Sequence, residues 1–519
     1  MGRTKGMRFV LIAALIAVAG IGSMVLARAT NPIESAMLFN EVLKHIRDDY
    51  VDEVDLEKLM TGAIRGMLNT LDPHSQYLTS KQYEDLMVST HGSFGGLGIE
   101  IDIRNGWLTV IAPIEGTPAY RAGIRGGDRI VKIEGKSTRG ITMTEAVQKL
   151  RGPKGTKVTI TIQREGEPEL IDYTITRDII KIKSVPFSTM LDGGIGYVRI
   201  AAFSDNTSDE LREALRKLKS QGMKKLIIDL RRNTGGLLSQ AIEVTEQFVK
   251  PGQTIVSTRG RRREQNRVYR AGSRAKGGDY PLIVLVDNQS ASASEIVAGA
   301  IQDLDRGLVV GLTTFGKGTV QSVMKLSGGG ALKLTTAKYY TPSGRNINKD
   351  EEPSEESAII RSDEPDSNHV YYTIGGRKVY GGGGIKPDIK IEPEEMPKIA
   401  SRLAREGLVF EYAVHYVAIH ENITPDFGSD PNLLSDFKDF ITDKEFEFTD
   451  EEFEEGKDFL LIMLRSEIAR KVWGDEAAYE LSIEGDSQLQ KVIDIMKQAN
   501  SLSDLFALAV NYSEATETE

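Results

Sequence analysis

Cysteine is absent from all 519 residues, which excludes disulfide bonds, thiolate metal sites and a cysteine nucleophile. Histidine is scarce: the six His residues have neither an HExxH nor a similar ligand spacing, so we expect no metal site. A surplus of positive charge is also missing, because 65 Lys and Arg stand against 75 Asp and Glu and give a net charge of −10. That balance argues against a general nucleic-acid-binding protein.

A long uncharged stretch lies near the N-terminus, from Phe9 to Ala27, and three basic residues precede it. The order of a positive segment, an apolar run and an Ala-x-Ala end at Ala29 is typical of a cleaved export signal. The stretch is also just long enough for a membrane anchor, and a buried core helix is the third interpretation. For an export signal and for a membrane anchor alike, the basic residues before Phe9 stay in the cytoplasm. We therefore expect the residues after Thr30 to lie in the periplasm or cell envelope.

The remaining sequence divides into four blocks and predicts a multidomain protein of α/β and α+β class. Its 40% hydrophobic and 27% charged residues are those of an ordinary globular protein. We predict these segments: 1–30, signal peptide or membrane anchor; 31–91, N-terminal helical region; 92–178, a small partly open β-barrel; 179–395, an α/β core; and 396–519, an acidic helical extension.

Hydrophobic periodicity supports the two middle blocks. Isoleucines alternate with charged residues from Ile99 to Ile103, and Asn105-Gly106 then predicts a hairpin turn. In the next block, the runs Leu226–Leu230, apolar except for Asp229, and Leu282–Val286 predict strands of a sheet that is covered on both faces. Each of these two runs is followed by a loop and a helical pattern.

The two outer blocks are predicted to be helical. Residues 31–91 are short for an independent core, so we expect them to pack on a neighbouring domain or a second subunit. Residues 431–460 carry 11 acidic residues against three lysines, interleaved with six phenylalanines. Four roles stay open for this extension: packing on the core, an oligomer interface, a site for an activating partner, or a solvated charged face.

Three serines lie in the segment Ser290–Glu295, shortly after the second apolar run and directly before a helical pattern. A serine there stands at the carboxyl end of a strand and at the positive end of a helix. Both favour an exposed nucleophile and an anionic intermediate. Serine also caps helices often, so capping is the plain alternative.

A lysine between two glycines, Lys317 in the segment Phe315–Gln321, is the second candidate. If this segment is a strand, the side chains of residues 317, 319 and 321 share one face, so Lys317 and Gln321 point together. A lysine acts as a general base only when it is neutral, which requires burial. The alternative is a solvated surface lysine.

A pair of glycines, Gly235 and Gly236, follows the first apolar run. At a strand-to-helix turn such a pair can direct backbone N–H groups at a negative oxygen, although a Gly-Gly pair is often only a turn. Together the serines, the lysine and the glycine turn indicate a Ser–Lys pair, which needs neither histidine nor metal, and we expect no cofactor.

The ordered motifs Ser-Ala-Ser-Ala-Ser-Glu and Phe-Gly-Lys-Gly-x-x-Gln resemble those of the carboxyl-terminal processing peptidases, also called tail-specific proteases. The resemblance runs from about residue 36 to residue 395. Further motifs follow the same order: Leu71–Tyr77, Leu230–Asn233, Tyr339–Arg345 and Gly384–Asp388. The resemblance implies that Ser292 is the nucleophile, that Lys317 is the general base, and that Gln321 supports the lysine.

The resemblance also implies an oxyanion hole. Its donors would be the backbone N–H after the nucleophile, here Ala293, and one N–H of the glycine turn, Gly235 or Gly236. The chain departs from the family at Thr234, because proline usually precedes the glycine pair. This departure leaves the choice between the two glycines open.

Residues 92–178 resemble a PDZ domain of the kind inserted in these peptidases, so the predicted architecture is an α/β protease core with an inserted PDZ-like barrel. Glycine N–H groups of its loop can bind the terminal carboxylate of a substrate, and the strand from Ile99 offers an edge to an extended peptide. The loop residues are Gly95, Gly96, Leu97, Gly98 and Ile99. The alternative is a loop that only leads into the hairpin.

These features predict an exported serine endopeptidase that recognises the C-terminal tail of protein substrates and cleaves upstream of it by a Ser/Lys mechanism. The expected partners are proteins with accessible C-terminal tails. A second copy of the chain, an activating protein and, for an uncleaved N-terminal segment, a membrane are further candidates. Two alternatives are a catalytically silent PDZ scaffold of the cell envelope and an esterase or amidase acting on small molecules. The complete Ser–Lys–Gln set argues against the scaffold.

Overall fold

The computed structural model describes residues 31–273, 275, 277–349 and 370–516. The predicted signal peptide or anchor, residues 1–30, lies outside the described residues. Among the helices of the described ranges, none is long and apolar enough to cross a bilayer. The chain forms two compact units, which divide between Tyr77 and Leu78.

Helices and strands are numbered along the described chain. The helices are α1 (Pro32–Asp49), α2 (Leu56–Asn69), α3 (Ser80–His91), α4 (Pro118–Ala122), α5 (Met143–Leu150), α6 (Thr207–Ser220), α7 (Leu238–Glu246), α8 (Ala293–Asp303), α9 (Lys398–Glu406), α10 (Leu408–Ile419), α11 (Leu433–Asp443), α12 (Asp450–Trp473), α13 (Asp475–Glu484), α14 (Ser487–Gln498) and α15 (Leu502–Thr516). The strands are β1 (Gln76–Leu78), β2 (Ser93–Gly96), β3 (Ile99–Arg104), β4 (Trp107–Pro113), β5 (Arg129–Ile133), β6 (Lys136–Ser137), β7 (Lys157–Gln163), β8 (Ile171–Thr176), β9 (Asp178–Lys181), β10 (Phe187–Leu191), β11 (Ile195–Arg199), β12 (Lys225–Asp229), β13 (Thr254–Arg259), β14 (Arg267–Arg270), β15 (Leu282–Val286), β16 (Leu308–Gly311), β17 (Thr319–Lys325), β18 (Ala331–Tyr340), β19 (Val370–Tyr372), β20 (Lys378–Tyr380) and β21 (Ile389–Lys390).

The first unit contains α1 and α2. The side chains of Asn31 and Asp55 accept hydrogen bonds from the first backbone N–H groups of these helices and so cap them. Helix α1 buries none of its side chains, and Met37 and Leu38 are 66% and 61% exposed. The first unit therefore presents an apolar helix face.

The predicted PDZ-like block is a small antiparallel sheet with strand order β3-β4-β5-β7-β8, and β6 pairs beside β5. The hairpin predicted at Asn105-Gly106 is present, and both residues have positive φ angles, 51° and 75°, as a two-residue turn requires. Leu108, Ile130 and Ile160 are fully buried in its core. The sheet is not a closed barrel, in agreement with the predicted partly open form.

The predicted α/β core is built on a six-stranded sheet of order β10-β11-β12-β15-β16-β21, in which only β10 runs antiparallel to its neighbour. Leu226 and Ile228 of β12 face a cluster that includes residues of α6, α7 and α8. Ile227, between them, faces the opposite cluster, which includes residues of α14 and α15. The predicted two-sided cover is therefore present, and the C-terminal extension supplies helices for one side.

A second sheet carries β13, β14, β17 and β18, with β18 hydrogen-bonded to both β13 and β17. The helices α9 to α12 form a further cluster of their own, with Phe437 and Phe453 in its interior. The phenylalanines of the acidic block thus belong in part to a packed core. Packing on the core, one of the four roles left open for the extension, is shown instead by α14 and α15, which cover the central sheet.

Candidate active site

Ser292 stands between β15 and α8, at the residue before the helix begins. Its φ angle is 54°, a left-handed value that a non-glycine residue adopts only at a cost of order 1–3 kcal/mol. Ser292 is therefore held in a strained turn at the carboxyl end of a parallel strand and at the N-terminus of a helix, where the sequence predicted a nucleophile.

The three serines of the segment differ in their surroundings. The hydroxyls of Ser290 and Ser294 are fully buried and donate to the backbone carbonyls of Leu230 and Asn233, both at 2.8 Å. Ser292 alone of the three is partly exposed. Ser290 and Ser294 thus tie the serine loop to the glycine turn, and Ser292 is the serine that a substrate can reach.

Lys317 is partly buried and lies in the segment between β16 and β17, two residues before β17 begins. The strand on which residues 317, 319 and 321 would share a face therefore does not extend to Lys317. Its neighbours must be glycine: a Cβ on Gly318 would lie 2.7 Å from the backbone nitrogen of Asn348. Gly316 has a φ of 90°, and a Cβ there would lie 3.0 Å from the backbone nitrogen of Gly384.

Glu295 links the serine turn to the lysine segment. One carboxylate oxygen accepts the N–H of Ser292 at 2.7 Å and the N–H of Lys317 at 2.9 Å. The other accepts the Thr314 hydroxyl at 2.6 Å and the N–H of Gly316 at 2.8 Å. Burial raises the pKa of Glu295, although these four hydrogen bonds oppose the rise.

Tyr339 of β18 makes a second link. Its hydroxyl lies within hydrogen-bond distance of the carbonyl oxygens of Ser292, at 3.2 Å, and of Lys317. Burial, together with the charge of Glu295, raises the pKa of Tyr339 well above its ordinary value, so the hydroxyl stays protonated and donates. Two buried side chains therefore bridge the same pair of residues.

The sequence alone assigned no role to Glu295 or Tyr339, although they lie in the motifs Ser290–Glu295 and Tyr339–Arg345. The spacing of Ser292 and Glu295 is that of a capping box, a pattern that can be found in the sequence. The position of Tyr339 opposite Lys317 depends on the pairing of β18 and left no local signal.

Gln321 lies on β17. Its side-chain amide donates to the hydroxyl of Thr319 at 2.9 Å and to that of Thr335 at 3.4 Å. A β-bulge shifts the register between Val320 and Gln321. The predicted support of Lys317 by Gln321 stays a prediction.

The glycine turn packs directly on the serine turn. A Cβ on Gly235 would lie 2.9 Å from both the nitrogen of Ala293 and the Cβ of Ser292, so only glycine fits there. The N–H of Gly235 donates to the Asn233 side chain at 2.9 Å. Gly236 instead adjoins Phe203, whose carbonyl oxygen would be 2.1 Å from an added Cβ.

The predicted tail-binding loop lies beside a cavity of about 80 Å³. Gly95 and Gly96 belong to β2, which pairs with β9, whereas Leu97 and Gly98 lie between β2 and β3 and Ile99 begins β3. The cavity is lined by Phe94, Gly96, Leu97, Gly98, Ile99, Ile101, Val147, Leu150 and Arg151. An apolar groove beside a glycine loop suits a peptide that ends in an apolar residue.

Family comparisons match successive parts of the chain. The model of peptidase family S41 matches residues 194–356, and a PDZ domain model matches residues 109–164. The N-terminal domain of the activating protease CtpB matches residues 26–82, and the C-terminal helical domain of a probable PDZ-protease matches residues 399–455.

Whole-protein comparisons agree. The carboxy-terminal-processing protease of Bartonella bacilliformis is 46% identical over 325 residues, which cover 61% of this chain and 73% of that protein. The carboxy-terminal processing protease CtpA of Bacillus subtilis is 36% identical over 353 residues, covering 68% and 74% respectively. Among solved structures, the photosystem II D1 C-terminal processing protease is 30% identical with a TM-score of 0.38, covering 69% of this chain and 88% of that one. The chain therefore belongs to the carboxy-terminal processing proteases and is a serine peptidase with a PDZ domain.

Proposed function

We propose that this protein is an exported endopeptidase that binds the C-terminal tail of a protein substrate and cleaves upstream of it, with Ser292 as nucleophile and Lys317 as general base. The observation that carries the proposal is the double link at Glu295 and Tyr339. Each side chain contacts the backbone of both Ser292 and Lys317, as a catalytic pair held in fixed register would need.

The chemistry follows from this pair. Neutral Lys317 accepts the proton of the Ser292 hydroxyl as its oxygen attacks the peptide carbonyl, and the resulting ammonium returns a proton to the leaving amine. Water then attacks the acyl-enzyme, again with Lys317 as base, and releases the new carboxyl end.

The oxyanion would be held by the N–H of Ala293, the first residue of α8, and by one N–H of the glycine turn. The close packing of Gly235 against Ser292 supports a place for this turn in the site. The Gly235 N–H is bound to Asn233, so Gly235 would have to release that bond, and Gly236 is the other candidate.

Substrate selection would rest on the groove beside Gly95–Ile99, which suits a free C-terminal tail. The residues before Asn31 would direct export to the periplasm or cell envelope, either as a cleaved signal or as a membrane anchor. The exposed apolar face of α1 supports a contact with a second copy of the chain or with an activating protein.

Mass spectrometry of a tailed model protein, incubated with residues 31–519, tests the proposal. We expect the wild-type enzyme to remove a C-terminal piece and Ser292→Ala to remove none, while Ser290→Ala and Ser294→Ala retain more activity than Ser292→Ala. Lys317→Arg should be inactive although it keeps the charge, because arginine does not deprotonate. Substantial cleavage by Lys317→Arg would refute the general-base role, and an inactive Ser294→Ala beside an active Ser292→Ala would reassign the nucleophile.

A further inference from the structure

A cluster of charged side chains lies at the carboxyl end of β12, just before the glycine turn. Asp229 is fully buried and accepts hydrogen bonds from the Tyr197 hydroxyl at 2.7 Å and from the backbone N–H and guanidinium of Arg231. Arg199 lies 3.3 Å from the same carboxylate and also donates to the carbonyl of Arg231 at 3.2 Å. Burial alone would raise the pKa of Asp229, but the two arginines outweigh it and lower that pKa.

Arg231 has a second carboxylate partner, and it comes from the C-terminal extension. Both terminal nitrogens of the Arg231 guanidinium donate to Asp486, the residue before α14, and one of them also donates to Gln488 at 3.0 Å. Arg231 is 14% exposed and Asp486 is 25% exposed, so water screens this pair only in part. With Asp486 in place, the cluster holds two positive and two negative charges.

The segment that begins at Arg231 is the one that reaches the proposed oxyanion site. Arg232 has a φ of 58°, a strained value, and its N–H donates to Asp287 at 2.9 Å. Asn233 then accepts hydrogen bonds from the N–H of Ala291 and the hydroxyl of Ser294 on its carbonyl. Arg231 therefore stands at the start of the turn that packs against Ser292.

We propose that Asp486 is a positioning residue for catalysis: it fixes the Arg231 guanidinium and thereby the turn from Arg231 to Gly236 that completes the oxyanion site. The proposal rests on the proposed function and gives the C-terminal extension a catalytic task in addition to packing. Without the Asp486 charge, the Arg231 guanidinium keeps its hydrogen bonds to Asp229 but loses its charged partner in the extension, so the start of the turn is held less tightly.

The structure offers a variant that separates this role from stability. Asp486 also caps α14, because its side chain accepts the N–H of Leu489 at 2.9 Å. Asparagine caps helices about as well as aspartate, so Asp486→Asn keeps the cap while it removes the charge and one of the two oxygens that accept from Arg231. Asp504 is a matched control in the same extension: it caps the start of α15, accepts the N–H groups of Asn500 and Ser501, and contacts no arginine among its hydrogen bonds and ion pairs in the described residues.

The test compares Asp486→Asn and Asp504→Asn in steady-state cleavage of a tailed substrate and in thermal unfolding. We expect Asp486→Asn to lower kcat by about tenfold with KM and the unfolding midpoint nearly unchanged, because the tail groove is not touched. Asp504→Asn should leave kcat unchanged. Equal kcat values for both variants, or a loss in Asp486→Asn that appears only in KM or the unfolding midpoint, would overturn the proposal.

A second measurement keeps this inference separate from the proposed function. Amide hydrogen exchange of a peptide covering residues 231–237 should be faster in Asp486→Asn than in Asp504→Asn. If the wild-type enzyme cleaves nothing, the proposed function fails while the exchange rates still report the link. Equal exchange in the two variants shows that Asp486 does not hold the turn and refutes the positioning role.

Discussion

Replacing Glu295 by glutamine is the sharpest test of how the site is held together. The buried carboxylate presents two oxygens, and each accepts two hydrogen bonds. Glutamine has nearly the same shape but only one oxygen, and its amide nitrogen donates. At least one pair of donors must therefore face an N–H₂ group instead of an acceptor.

One orientation of the glutamine amide costs least. If the amide oxygen keeps the N–H groups of Ser292 and Lys317, its nitrogen faces the Thr314 hydroxyl, which can turn and accept, and the N–H of Gly316, which cannot. The Thr314 oxygen already accepts the N–H of Ile385 at 2.7 Å, so it is crowded. One unsatisfied buried N–H costs about 1–3 kcal/mol, and the kept bonds lose the strength that the charge gave them.

Relief of the buried charge offsets part of this cost, so we expect Glu295→Gln to lower the free energy of unfolding by about 2–4 kcal/mol. Activity should fall further than stability, because the same carboxylate oxygen sets the spacing of Ser292 and Lys317. We expect kcat to drop by at least about tenfold at a temperature where the variant is folded.

The assay is steady-state cleavage of a tailed substrate beside urea unfolding. Glu213→Gln is the control, because Glu213 is an exposed glutamate of α6 and should leave both quantities unchanged. Wild-type kcat in a folded Glu295→Gln variant would show that the link to Ser292 and Lys317 does not position the pair, and the reasoning would be wrong.

Three other predictions follow from the described contacts. Gly98→Ala should weaken binding of a tail peptide at least about tenfold, because Gly98 has a φ of 78° and an added Cβ would lie 2.3 Å from Thr117; unchanged binding in a fluorescence polarisation assay would exclude the loop as the tail site. Burial lowers the pKa of Lys471 to about 8, so between that pH and its unfolded pKa the unfolded chain binds more protons and stability rises with pH. From pH 7 to pH 9.5, the free energy of unfolding of the wild type should therefore rise by about 2 kcal/mol more than that of Lys471→Met. An equal rise in the two proteins would contradict the burial of Lys471. Deletion of residues 487–519 should give insoluble protein on expression, because it removes six large apolar side chains that cover the sheet. Their burial contributes about 9 kcal/mol or more to the stability of the fold. A soluble, folded product would contradict the core on both faces of the sheet.

Much of the core could be predicted because its signals are local. The apolar run Leu282–Val286 is β15 as predicted, and the helical pattern after the serines is α8. The alternation from Ile99 and the Asn105-Gly106 turn gave the hairpin of β3 and β4. In these elements the spacing of the apolar residues and the identity of the turn residues determine the local structure, and long-range contacts are not needed to predict it.

The sequence did not decide the features that depend on long-range packing. Whether the segment of Lys317 is a strand could not be decided from its sequence; Gly316 and Gly318 are closely approached by residues distant along the chain, and β17 begins only at Thr319. The pairing of Arg231 with Asp486 spans 255 positions and left no pattern in either segment. Packing of the extension on the core stayed one of four open roles, because the apolar faces of α14 and α15 do not indicate in sequence which sheet they cover.

The cover of the central sheet has a consequence for the order in which the protein can fold. One face of the sheet is covered by α6, α7 and α8, which lie close in sequence to its strands. The other face is covered by helices of residues 487–516, near the end of the chain. A chain that emerges in order therefore holds a half-covered sheet until these residues follow. A protease that folds in this order would stay inactive during its synthesis, and cleavage near residue 485 would inactivate it.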